Sequence, residues 1–94
     1  MVSSQQMAET LALQALEWLV AQDDLLPAFL GSTGATEADL RENAGDPVFL
    51  GAVLDFLMMD DAWITAFCDA QEIPYELPFM ARQALPGGSE VHWT

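Results

Sequence analysis

Cys68 and His92 are the only thiol and the only imidazole in this sequence. Nucleophilic chemistry at Cys68 would need a thiolate, and so a neighbouring base or cation. Cys68 falls four residues after Ile64 on an apolar helical stripe, which reads as a small buried hydrophobe. His92 stands beside Trp93 in the final S-E-V-H-W-T and reads as solvent-exposed and uninvolved. The acidic pairs Asp23–Asp24 and Asp60–Asp61 have oxygen ligands for a hard cation. Helix capping explains them more simply. No D-x-D-x-D-G run or H-E-x-x-H is present, and one histidine cannot supply two Glu-x-x-His ligand sets. No glycine-rich phosphate loop follows a strand. The residues therefore assign no catalytic group, no metal ligand and no cofactor. Two weaker leads remain. Glu17 and Asp55 lie on the polar sides of their helices; if those sides met, one carboxyl pKa would rise, and otherwise both are solvated. Tyr75, Phe79 and Trp93 lie outside the strong core stripes, and either anchor a partner or close the core.

Charge bounds the function class more firmly. Fifteen Asp and Glu face only Arg41 and Arg82, with no lysine among 94 residues. Phosphate neutralisation needs several cations, so the balance argues against direct nucleic-acid binding. It argues equally against adsorption to an anionic membrane. A basic protein partner, or solubility alone, suits such a chain. The apolar fraction of 52% is generous for so small a surface, which leaves room for a partner or a homodimer. A single cysteine permits no intrachain disulfide and fits a reducing cytoplasm. The N-terminal M-V-S-S-Q-Q-M-A-E has no basic signal region. The longest apolar run, Val48 to Met59, is too short to span a bilayer. A cytoplasmic protein is the expectation.

The elements that would position these residues are all helical. Ser3 or Ser4 caps a first helix to about Gln22, whose buried face steps through Met7, Leu11, Ala15, Trp18 and Leu19, widened by Val20. Asp23 or Asp24 caps a second, with Pro27 in its first turn and Gly31 and Gly34 as stops. Thr36-Glu37-Ala38-Asp39 resembles a capping box. It opens a short helix in which Glu37 and Arg41 are spaced as an ion pair. Asp46-Pro47 starts a central helix that is apolar around most of its circumference, with Met59 extending the arc. Gly51 in its middle costs about 1 kcal/mol against alanine, a cost that close approach by another element would explain. Asp60 or Asp61 caps a fifth helix to about Glu72. I-P-Y-E-L-P reads as a turn, and a last helix runs from about Pro78 to Leu85. The expected fold is an all-α bundle of five or six helices around two longer ones. It forms one domain over 1–88, with a flexible tail at 89–94.

Displaced by 38 residues, A-L-E-W-L-V-A-Q-D-D-L-L-P-A-F from Ala15 overlies V-L-D-F-L-M-M-D-D-A-W-I-T-A-F from Val53. Leu16 meets Leu54, Asp23 meets Asp61 and Phe29 meets Phe67. Either a three-helix unit was duplicated, which would pack the two longer helices about a pseudo-twofold, or two amphipathic helices joined by acidic caps look alike by chance.

E-T-L-A-L-Q-A-L-E-W-L from Glu9, D-D-L-L-P-A-F-L from Asp23, D-P-V-F-L-G-A-V-L-D-F-L from Asp46 and A-L-P-G-G from Ala84 resemble the domain of unknown function 3572 family. The resemblance covers about Met7 to Gly88. It implies a bacterial, alphaproteobacterial, cytoplasmic, stand-alone helical protein, and brings no catalytic residue with it. The I-P-Y-E-L-P segment is less typical of the family.

Composition and patterning together point to a non-enzymatic acidic interaction module. It would bind a basic protein or itself through apolar surface near the C-terminal helices. The alternative is a nucleic-acid mimic that sequesters a basic protein by charge. A carboxylate-dependent metal enzyme is the third class.

Overall fold

In the computed structural model, which describes residues 4–85, Asp46 is the hinge into the centre of the molecule. Its carboxylate accepts a hydrogen bond from the Val48 N–H at 3.0 Å, and Pro47 takes the first helical position. The central helix begins there. The chain order is α1 (Ser4–Val20), α2 (Leu25–Thr33), α3 (Glu37–Asn43), α4 (Pro47–Met58), α5 (Asp61–Gln71) and α6 (Leu77–Ala84). The described residues form an all-α bundle with α1 and α4 as its longest helices. α1 packs chiefly on α6 and α4, while α4 also meets α5 and α6.

Most helix boundaries follow local chemistry. Thr36 and Asp39 form a reciprocal capping box: the Thr36 N–H donates to Asp39 Oδ2 at 2.9 Å and the Asp39 N–H to Thr36 Oγ1 at 3.2 Å. Asp60 caps α5 through the Ala62 N–H at 2.8 Å. Gly34, in the left-handed region at φ 76°, ends α2 by donating to the Leu30 carbonyl. Glu72 does the same work without glycine. At φ 57° it closes α5, and the Ile73 N–H reaches back to the Cys68 carbonyl at 3.0 Å.

Several expectations fail. Asp24 precedes α2 but its side chain caps nothing. Its backbone is already helical, and the Gln22 carbonyl accepts from both the Leu25 and Leu26 N–H groups. The turn after α1 has therefore taken over a cap's role. Gly31 does not stop α2, which runs through it to Thr33. Glu37 and Arg41 form no ion pair, and among the described residues Arg41 has no carboxylate within 4 Å. Met7, expected on the buried face of α1, is 56% exposed, and Val20 is also exposed. Met59 lies beyond the end of α4 and projects into solvent.

Among the described residues the core contains no buried polar or charged residue, so apolar packing holds the bundle together. Its middle is aromatic. Phe29 of α2 meets Phe56 of α4 edge-on, with ring centroids 5.3 Å apart. Trp18 of α1 meets Phe67 of α5 edge-on at 5.9 Å. Residues 18 and 56 are 38 apart in sequence, as are 29 and 67. Each long helix thus presents its aromatic ring to the short helix that follows the other. Phe29 and Phe67 are both fully buried. Each such pair contributes about 0.5–1.5 kcal/mol beyond its area. Trp63 stacks on Phe56 at 4.9 Å and Phe49 meets Phe29 at 6.0 Å, extending the cluster.

Gly51 explains how α6 fits against α4. The Arg82 guanidinium lies over it: a Cβ built there would meet Nη1 at 3.0 Å and Cζ at 3.1 Å. Arg82 donates from Nε to Asp55 Oδ1 at 2.7 Å and from Nη2 to Oδ2 at 3.0 Å. The bidentate grip fixes the fork in the space that glycine leaves. The expected cost of a mid-helix glycine is offset by this contact. Asp55 therefore faces Arg82, and the idea of an acid–acid encounter with Glu17 gives way to an ion pair. The side of Asp55 is open to water, so the pair contributes only about 0–1 kcal/mol. A double-mutant cycle in urea tests the fit. Gly51→Ala should stabilise an Arg82→Ala protein by about 1 kcal/mol through helix propensity. In the wild type it should gain clearly less, because the new methyl crowds a held guanidinium.

Candidate functional site

The sequence singles out Tyr75, Phe79 and Trp93. Trp93 and His92 lie outside the described residues, as does the segment 89–94 read as a tail. Tyr75 sits in the turn between α5 and α6, and Phe79 on α6; both are about half exposed. The proline spacing of I-P-Y-E-L-P does give a turn, and Pro78 then falls in the first turn of α6, where a missing N–H is harmless.

A second apolar feature lies on α6. Leu77, Met80, Ala81 and Ala84 repeat at three- and four-residue steps and face the first half of α1. Between the two helices runs a shallow apolar groove of about 160 Å3, to which α1 contributes Met7 and Leu11. Met80 is 63% exposed, so two methionines flank this groove with their side chains largely in water. Tyr75 and Phe79 do not line it. Met7 reads as core in the sequence because its spacing from Leu11 is that of a buried stripe. Met80 escapes a sequence reading because α6 is short. Its step from Leu77 to Met80 to Ala84 is the available signal.

Tyr75 is tied down at its polar end. Its hydroxyl donates to Asp69 Oδ1 at 2.7 Å. That bond, and then the Asp69 charge, push the phenol pKa above its ordinary value. Cys68, next to Asp69 in sequence, is fully buried. Burial first, then the charges of Asp69 and Glu76, push its thiol up as well. A nucleophilic cysteine needs the opposite shift. Among the described residues no three His, Cys, Asp or Glu side chains converge as a metal-binding group. Asp46 and Asp60 are occupied as caps, whereas Asp23 and Asp24 lie on the exposed turn. No helix among the described residues is long and apolar enough to cross a membrane.

The family model described as "Protein of unknown function (DUF3572)" matches residues 5–88, which takes in all but the first residue of the described bundle. The chain belongs to the DUF3572 family. No curated protein and no solved structure matches it. The DUF3572 match runs through the I-P-Y-E-L-P turn and α6, so the groove between α1 and α6 lies within the family region.

Tyr75 is the chain's single tyrosine, so its ionisation can be followed in the ultraviolet without overlap from another phenol. The bond to Asp69 holds the protonated form. Its contribution is therefore complete below the unfolded pKa of about 10 and is lost as pH rises through the higher folded value. Asp69→Ala should move the tyrosinate transition down toward about 10. An unchanged midpoint would show that the bond does not persist in solution.

Proposed function

We propose that this chain is a non-enzymatic, acidic interaction module of the cytoplasm that takes a protein partner on the face formed by α1 and α6. The observation that supports it most is the flanking of one apolar groove by two largely exposed methionines, with Phe79 and Tyr75 exposed on the same C-terminal segment. Methionine is unbranched and polarisable, and adapts to varied apolar shapes. Aromatic residues supply the larger anchors of protein interfaces. The groove has no free cation beside it: α1 carries none, and the one on α6, Arg82, is engaged by Asp55. With fifteen acidic residues against two arginines, the field favours a basic partner and speeds its encounter.

The nucleic-acid mimic is the competing reading, and the same charge supports it. Salt and one substitution separate the two. In a pull-down from the native cell, a partner held by the α1–α6 face should remain bound at high salt, where exposed charge pairs are screened. It should be lost from a Met80→Asp protein whose circular dichroism is unchanged. Capture that collapses with salt and ignores Met80→Asp would instead favour the mimic.

A further inference from the structure

A second, larger groove, on another side of α1, lies between α1 and α3. It encloses about 450 Å3. Leu13, Glu17 and Val20 stand on its α1 wall at spacings of four and three, one stripe of the helix. Leu13 is 38% exposed and Val20 42%, on a side of α1 that otherwise carries polar residues. The α3 wall is held by Leu40, the one buried residue of that helix. Arg41 and Glu37 complete the rim.

The rest of the chain shows what such a site looks like when it is filled. Leu13, Glu17 and Ala44 meet in this groove. The residues 38 further on are Gly51, Asp55 and Arg82, which meet in the α4–α6 clamp. There the acid has its arginine and the helices are in contact. Here the third position is alanine, the glycine is replaced by an exposed leucine, and Glu17 makes no hydrogen bond or ion pair among the described residues. The chain has two arginines and no lysine. Arg82 belongs to Asp55, and among the described residues Arg41 is without a carboxylate although it borders the same groove as Glu17. One unpaired acid, one unpaired guanidinium and an apolar floor between them form a self-complementary surface.

We infer that the α1–α3 groove is covered by a second copy of this chain, in a twofold dimer that sets Arg41 of the partner subunit on Glu17. The reciprocal pair follows from the symmetry: residue 41 meets residue 17 twice. The exposed Leu13 and Val20 of each copy bury one another. Glu37 leaves one excess carboxylate per copy at the rim, and the copies carry a net charge of −13 each. Their long-range repulsion is screened within about 10 Å at moderate salt, so association tightens between low and physiological salt. This surface is separate from the α1–α6 face, and either can exist without the other.

Sedimentation equilibrium of the full chain decides the matter, from about 1 μM to about 1 mM. The wild type should dimerise within that range. Glu17→Arg crowds the interface with guanidinium groups alone at these two positions, and Arg41→Glu crowds it with carboxylates alone. Each variant by itself should lose at least about tenfold in association. Mixed in equal amounts, the two should form a heterodimer. The arginine introduced at position 17 of one copy then faces the glutamate introduced at position 41 of the other, and the native Arg41 and Glu17 face each other at the second contact. Circular dichroism confirms that each variant folds, and Leu13→Asp, at an exposed position, provides a second disrupting change. A wild type that stays monomeric to about 1 mM overturns the inference. So does a dimer indifferent to both charge reversals, or a mixture that associates no better than its components.

Discussion

The reciprocal exchange of aromatic rings between the two halves is what the rest of the bundle depends on. Trp18 of α1 packs on Phe67 of α5, and Phe56 of α4 packs on Phe29 of α2. Each of these edge-on pairs crosses the midline, while Phe56 also stacks on Trp63 within its own half. Among the described residues the core offers no polar alternative, having no buried polar or charged residue to impose register. Shape and quadrupole geometry must then do it. Duplication of a three-helix unit, suggested by the 38-residue displacement, would produce this reciprocity directly. So would selection for a good aromatic core, and we propose duplication as the simpler source.

The halves then diverge in what lies on top of the long helices. On α4, glycine at position 51 and arginine at position 82 let α6 come close and lock there. On α1, leucine at 13 and alanine at 44 leave a groove and an unpaired Glu17. The same framework thus gives one closed face and one open face. This difference comes from very few residues, which is why the functional question falls on surface rather than core.

Much of the fold was legible in the sequence because helix signals are local. Asp46-Pro47, the Thr36–Asp39 box, Asp60 and Gly34 each act within a few residues of themselves, and each appears where its type predicts. Asp24 misleads for the complementary reason. Whether a cap is used depends on what the preceding turn already satisfies, and the Gln22 carbonyl takes the Leu25 and Leu26 N–H groups here. Glu72 at a left-handed turn has no sequence signal comparable with glycine. The candidate surfaces were less legible than the core. Periodicity places Met7 on a buried stripe but cannot say where the covering helix ends. The grip of Arg82 on Asp55 joins residues 27 apart, and only their meeting shows why Gly51 is a glycine.

An isotope-edited nuclear Overhauser experiment on the aromatic rings tests the reciprocal core most directly. Cross-peaks should link Phe29 with Phe56 and, separately, Trp18 with Phe67, as the centroid separations of 5.3 and 5.9 Å require. Finding one set without the other, or neither, in the folded protein would contradict a core in which each half completes the other.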